Sequence, residues 1–124
     1  MPKTELVLFR EDDGTVPLTD WLDSLQKKAQ AKCVGAIRRL ELIGHELRRP
    51  EADYLRDDIF ELRVRLQGIN YRMLYFFHGR SVVVVSHGLT KERAVPPKEI
   101  ERAVERRKRF IADPKLHAFK PEGY

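Results

Sequence analysis

Residues 59–66, which read Ile-Phe-Glu-Leu-Arg-Val-Arg-Leu, alternate between apolar and charged side chains from Phe60 onward. Successive side chains of a β-strand point to opposite faces, so this period predicts a strand with one face toward a hydrophobic core. The pattern assigns Phe60, Leu62, Val64 and Leu66 to the core face, and Glu61, Arg63 and Arg65 to a charged face that we expect to be exposed.

The rest of the chain predicts an α+β fold without repeats. Pro17 and Pro96-Pro97 favour helix starts, Pro50 favours a helix end, and Gly68 and Gly79 favour hairpin loops. In chain order we predict an N-terminal strand (5–9), a helical hairpin (apolar stripes over 18–25 and 29–47), an antiparallel β-sheet of sequential hairpins (59–66, 71–77 and 81–87) and a C-terminal helix (98–112). Residues 1–112 would form a single domain, and residues 113–124, which carry no clear pattern, a C-terminal tail.

Composition limits the class of protein. The chain has 124 residues with 42% hydrophobic and 35% charged side chains, which is typical of one folded domain with a modest core. It has no apolar run of the roughly 20 residues that a membrane helix needs, and Met1–Glu5 does not resemble the start of a signal peptide. We therefore predict a cytoplasmic protein. Cys33 is the only cysteine, which excludes an internal disulfide and a cysteine-based metal site.

Positive charge is concentrated in the second half. Residues 59–110 carry 12 Lys and Arg against 5 Asp and Glu, whereas residues 1–58 carry 10 against 12. Such an excess is the usual electrostatic signature of nucleic-acid binding, and the alternative is a solvated surface that keeps the protein soluble.

Four segments in this order resemble the RelE/HigB superfamily of toxins, and most closely its phage-derived HigB-like branch. They read Asp-Ile-Phe-Glu-Leu-Arg at 58–63, Tyr-Arg-Met-Leu-Tyr-Phe at 71–76, His-Gly-Leu-Thr-Lys at 87–91 and Pro-Lys-Glu-Ile-Glu-Arg-Ala at 97–103. The resemblance implies the RelE-like fold and the toxin of a toxin–antitoxin pair. The activity it implies is ribosome-dependent cleavage of messenger RNA, with the ribose 2′-hydroxyl as nucleophile and no metal or cofactor.

The resemblance also implies partners. These are messenger RNA, the bacterial ribosome and a cognate antitoxin, expected to be a helix-turn-helix protein encoded beside the toxin and covering its basic surface. Two alternatives from other functional classes remain open. One is a ParE-like inhibitor of DNA gyrase on the same fold, and the other is a non-catalytic module that binds RNA or protein.

Arg63 and Arg72 are the first candidates for binding the scissile phosphate, because a guanidinium group presents a planar fork of donors to phosphate oxygens. Arg72 also occupies the Tyr-Arg position at which the family usually carries an arginine important for cleavage. The alternative is that these arginines form ion pairs with Glu61 or another acid across the sheet.

His87 and Glu61 are candidates for proton transfer, since an ordinary imidazole titrates near pH 6.5. A packing role for His87 is the alternative. Five further cations are candidates for binding RNA, with solvated or structural charge as their alternative: Arg65, Lys91, Arg93, Arg106 and Arg109. His45, His78 and His117 are scattered, and no spacing indicates a metal site.

Overall fold

The computed structural model describes residues 4–90 and 93–121. Strand β1 (Glu5–Phe9) leads to helices α1 (Pro17–Asp23) and α2 (Lys27–Ile43), followed by a 3-10 turn (Gly44–Glu46). Strands β2 (Ala52–Arg56), β3 (Ile59–Leu66), β4 (Ile69–His78) and β5 (Val82–Thr90) come next. The described chain ends with helix α3 (Pro97–Ala112), the short helix α4 (Pro114–His117) and strand β6 (Ala118–Phe119). The predicted α+β architecture is confirmed.

The strands within the described residues form one sheet in the order β2-β3-β4-β5-β1-β6. Strands β2 to β5 are antiparallel neighbours, as predicted for β3 to β5, and β1 pairs with β5 in parallel. The loop between β3 and β4 has only Gln67 and Gly68, with φ of 52° and 79°. Two central residues with positive φ form the turn that matches the twist of a hairpin, and glycine adopts this backbone without strain.

Hydrophobic cores lie on both faces of the sheet. The helical hairpin of α1 and α2 covers one face and buries side chains that include Leu18, Leu22, Cys33 and Ile37. Helix α3 covers part of the opposite face. Its Ile100, Ala103 and Phe110 pack against Val7, Phe9, Ile59, Leu74, Phe76 and Val84 of the sheet. The valine run of β5 contributes to both cores, as expected for a central strand.

Two predicted boundaries were wrong by three residues or more. Helix α2 ends at Ile43 instead of continuing to Leu47, because Gly44 adopts a φ of 61° and caps the helix through its backbone N–H. Leu47 is nevertheless buried in the same core, which explains why it fits the apolar stripe. Strand β5 extends to Thr90, three residues beyond the prediction.

The sequence did not predict strand β2. It joins β3 through Asp57 and Asp58, whose φ angles are 52° and 66°. These aspartates form a two-residue hairpin turn. The turn contains no glycine, the residue by which such turns are usually identified in a sequence.

The segment after Asp113 carried no clear sequence pattern, and residues 114–119 are ordered against β1. Strand β6 pairs with Leu8 and Phe9. The Nδ1 atom of His117 donates a hydrogen bond to the carbonyl of Arg10 at 2.7 Å, and its ring stacks on Phe9 with 4.9 Å between ring centroids. A strand of two residues is too short to produce an alternating pattern, which is why the sequence gives no sign of it.

Gly88 lies where helix α1 crosses β5. A substitution at Gly88 therefore tests how closely α1 packs on this strand. A Cβ atom added at Gly88 would lie 2.2 Å from the ring of Trp21, far inside van der Waals contact. We expect Gly88→Ala to lower the free energy of unfolding by about 1–3 kcal/mol, the usual effect of overpacking a core. Denaturant unfolding followed by circular dichroism measures this change.

Gly35→Ala is the matched control. Gly35 is exposed within helix α2, and an added Cβ there meets nothing within 4 Å. Alanine is the better helix former, so this variant should gain up to about 1 kcal/mol. Equal stability of the Gly88→Ala variant and the wild type would contradict the described contact between α1 and β5.

Candidate nucleic-acid interface

The predicted arginines lie side by side on the sheet. The register of the β3–β4 hairpin places Arg63 opposite Arg72, and Arg65 opposite Asn70. These positions share the sheet face that α3 covers, but α3 packs over Ile59 and Leu74, farther from the hairpin turn. The end of the hairpin near its turn therefore leaves Arg63 and Arg65 exposed.

Glu61 is buried, which corrects the expectation that the whole charged face of β3 is exposed. Only 3% of the residue is accessible, since it lies where α3 still covers the sheet. Its Oε1 atom accepts a hydrogen bond from Nε of Arg63 at 3.1 Å and also contacts Nη1 of Arg72. The ion pairs considered as an alternative for both arginines are therefore present.

Further contacts fix the two guanidinium groups. Nη2 of Arg72 donates to the carbonyl of Arg93 at 2.6 Å, which ties β4 to the segment after β5. Nη2 of Arg63 lies 3.7 Å from Oδ2 of Asp53 on the neighbouring strand β2. Arg72 is nearly buried, whereas 39% of the Arg63 side chain is accessible, so Arg63 is the better exposed of the two cations.

A cleft of about 560 Å³ opens beside these side chains. We call it the arginine cleft, and its lining residues are Pro50, Glu51, Arg63, Val64, Arg65, Asn70, Tyr71 and Arg72. Three arginines and Asn70 thus line one concave surface together with the acid Glu51, which pairs with Arg39. Such fixed donors are suited to an anion with several oxygens, such as a phosphodiester. The sequence did not indicate Asn70 as a site residue. It is identified by its pairing with Arg65 across the hairpin.

His87 lies on the same sheet face as Arg72 because β5 contains a bulge. The pairing with β4 shifts between Leu74 and Tyr75, so Ser86 and His87 both turn toward α3. Nδ1 of His87 lies 2.8 Å from the hydroxyl of Ser86, and Nε2 lies 3.0 Å from Oε1 of Glu99. Because a carboxylate can only accept, Nε2 carries the proton and the Ser86 hydroxyl donates to Nδ1.

The surroundings of His87 favour its neutral form. Burial lowers the pKa of His87 to about 4, and the positive charge of Arg106 acts in the same direction. The hydrogen bond to Glu99 opposes these effects without cancelling them. At neutral pH the imidazole is therefore uncharged, and both of its nitrogens are engaged.

Arg106 and Arg109 take part in a contact with the other end of the chain. Nη2 of Arg106 lies 3.3 Å from Oε2 of Glu11, and Nη2 of Arg109 lies 2.5 Å from Oε1 of the same carboxylate. Both guanidinium groups also lie over the ring of Phe9, at 5.7 and 5.2 Å from its centroid. These two candidates for RNA binding do not line the arginine cleft.

The remaining predicted cations divide differently. Arg93 is exposed, and its backbone holds Arg72, so it lies beside the arginine cleft. Lys91 lies outside the described residues.

Among the residues that the structure describes, no group of three His, Cys, Asp or Glu side chains is arranged to hold a metal ion. None of the helices in the same part of the chain is long and apolar enough to cross a membrane.

The sequence reasoning also missed three partners of the predicted residues. Ser86 and Glu99 contact His87, and Glu11 binds both Arg106 and Arg109. Ser86 becomes a partner only because of the bulge, and Glu11 lies more than ninety positions from both arginines. Glu99 was visible only as an acidic residue in the first turn of α3.

The depressed pKa of His87 predicts how stability depends on pH. An unfolded histidine titrates near 6.5, so below that pH the unfolded chain binds a proton that the folded chain resists. The stabilising contribution of neutral His87 is fully present above about pH 6.5 and is lost as pH falls through about 4. The free energy of unfolding should therefore decline over this window by roughly 2–3 kcal/mol more in the wild type than in His87→Gln.

Urea unfolding at a series of pH values measures this difference. Parallel curves for the wild type and His87→Gln would show that His87 does not resist protonation in the folded state.

Comparison with known proteins identifies the family. A model of the phage-derived Gp49-like proteins (DUF891) matches residues 20–108, which include β2 to β5 and most of α3. A search of curated proteins gives no significant match. The matched range contains the arginine cleft and His87, and it covers more than two thirds of the chain. The chain belongs to the family of phage-derived Gp49-like proteins, which is known from toxin–antitoxin contexts.

Proposed function

We propose that this protein is the toxin of a toxin–antitoxin pair and that it cleaves messenger RNA on the ribosome. The observation that carries the proposal is the arginine cleft, where Arg63 and Arg65 reach solvent beside Arg72. The family supports a toxin-like role. Membership of the RelE/HigB superfamily is part of the same proposal, and it rests on the four sequence segments that resemble that superfamily.

The proposed reaction uses the substrate's own ribose. The 2′-oxygen attacks the adjacent phosphorus, and its proton passes to water. The bond from phosphorus to the 5′-oxygen breaks, and the leaving oxygen takes a proton from water. The products are a 2′,3′-cyclic phosphate and a 5′-hydroxyl end. Negative charge accumulates on the phosphate oxygens in the transition state, and prepositioned cations that stabilise it contribute a large part of the rate.

Arg63 and Arg65 are proposed to bind the phosphate directly, since their side chains are accessible in the cleft. Arg72 is proposed to contribute positive charge at the floor of the site, where it contacts Glu61 and the Arg93 carbonyl. Arg93 and Lys91 are proposed to contact RNA outside the cleft. Arg106 and Arg109 are better explained as structural residues, because they bind Glu11 and pack over Phe9.

Glu61 and His87 were the candidates for proton transfer. Oε1 of Glu61 is shared by two guanidinium groups, and His87 is neutral with both nitrogens engaged. We therefore propose that Glu61 orients Arg63 and Arg72, and that His87 joins β5 to α3. In this proposal Glu61 positions the cations, His87 holds α3 against the sheet, and neither residue exchanges a proton with the substrate.

Regulated expression in bacteria, followed by mapping of transcript ends, tests this function. New 5′-hydroxyl ends inside coding regions are expected, and such ends must be phosphorylated before an adaptor can be ligated. Arg63→Ala and Arg65→Ala should each reduce cleavage by about 10²–10³-fold, the effect of removing one donor that stabilises transition-state charge. Arg72→Lys should reduce it as well, because an ammonium group cannot reproduce the planar fork that reaches both Glu61 and the Arg93 carbonyl.

Arg38→Ala is the matched control, since Arg38 is an exposed arginine of α2, on the other side of the sheet. It should cleave like the wild type, and thermal unfolding should show that every variant folds. Co-expression of the neighbouring gene should restore growth if that gene encodes the antitoxin. Growth arrest with intact messages and DNA-damage signalling would instead support gyrase inhibition. Intact messages with normal growth would support a non-catalytic binding module.

A further inference from the structure

A second groove lies next to the arginine cleft. It has a volume of about 540 Å³ and runs between the α1–α2 connection and the β3–β4 hairpin. We call it the hairpin groove, and its lining residues are Ser24, Leu25, Gln26, Lys27, Lys28, Ala29, Leu66, Gln67, Ile69, Tyr71 and Thr90. Tyr71 lines both the hairpin groove and the arginine cleft, so the two meet at this residue of β4. The groove lies on the face that α1 and α2 cover, and the arginine side chains lie on the face that α3 covers.

Positive charge continues from one concavity to the other. Lys27 and Lys28 are exposed at the start of α2. Lys28 and Lys32 are four residues apart and so lie on one side of the helix. Nζ of Lys32 donates a hydrogen bond to the backbone carbonyl of Arg65 at 2.8 Å, which brings this side of α2 to the strand that carries the arginines. These lysines belong to the half of the chain whose net charge is negative, so charge counting by segment concealed them.

The lining of the hairpin groove is chemically mixed. Leu25, Leu66 and Ile69 are partly buried and supply apolar surface. The Trp21 indole N–H donates to the Thr90 hydroxyl at 3.0 Å, and its ring meets Tyr71 edge to face at 6.3 Å between centroids. The described lining residues include two lysines and no acid. Cations for phosphates beside apolar surface against which a base can pack are suited to single-stranded nucleic acid.

We propose that the hairpin groove binds single-stranded RNA next to the segment held in the arginine cleft. Lys27 and Lys28 each contact one phosphate on one side of the scissile linkage, and the apolar lining receives the neighbouring base. This inference rests on the proposed function and extends it. The RNA contact surface would then include the α1–α2 connection in addition to the sheet.

Binding of non-cleavable RNA separates this inference from catalysis. The probes are fluorescein-labelled 2′-O-methyl oligouridylates, a dinucleotide and an octanucleotide, measured by fluorescence anisotropy at several salt concentrations. Wild-type protein should bind the octanucleotide more tightly. In Lys27→Gln/Lys28→Gln the octanucleotide should bind roughly tenfold more weakly, and the slope of log K against log salt should fall by about 1.4, or 0.7 for each single-strand phosphate contact.

The control variant is Lys108→Gln/Lys115→Gln, which removes the same charge from exposed positions on α3 and α4. It should bind both probes like the wild type. Equal weakening by both double variants, unchanged binding by Lys27→Gln/Lys28→Gln, or no wild-type preference for the longer probe would each overturn the inference. Cleavage of transcripts in cells, compared between the wild type and Arg63→Ala, judges the proposed function separately, because both of these proteins retain Lys27 and Lys28.

Discussion

Glu61 is a carboxylate buried between two guanidinium groups, and the geometry of the arginine cleft depends on it. The β3–β4 register forces Arg63 and Arg72 to be direct neighbours, and like charges opposite each other on a sheet repel. One shared oxygen of Glu61 compensates both cations. Removing one partner from a buried ion pair leaves an uncompensated charge, so the carboxylate and Arg72 stabilise each other's position. Arg63 and Arg65 remain accessible for a ligand.

Helix α3 has a different role from the one that its charge suggests. Its basic residues look like a surface for a polyanion, but Arg106 and Arg109 bind Glu11 at the end of β1, and Glu99 binds His87 on β5. The helix is thereby attached to the sheet by polar contacts as well as by its apolar stripe. Helix α3 covers this face of the sheet only as far as Ile59 and Leu74. The limit of the helix therefore determines which arginines of the same face are exposed.

The sequence predicted what depends on short-range pattern. The alternation in β3, the glycine between β3 and β4, and the prolines at the start of α1 and α3 each have a local physical effect. The features that the sequence did not predict depend on contacts between segments that are far apart in the chain. Alternation assigned Glu61 to a face but could not show which part of that face α3 covers. The partner of Arg106 lies near the other end of the chain, and the bulge at Ser86 that turns His87 toward α3 leaves no compositional trace.

The same distinction applies to charge. Counting along the chain assigned the basic surface to residues 59–110, yet the fold adds Lys28 and Lys32 of α2 to it and engages Arg106 and Arg109 with an acid. Electrostatic attraction of a polyanion depends on charges that share a surface, and screening removes the influence of those beyond about 10 Å. The relevant surface therefore follows the β3–β4 hairpin toward α2. In the function proposed above, a strand of RNA that crosses the arginines meets these lysines next, so we expect a longer substrate to gain affinity in this direction.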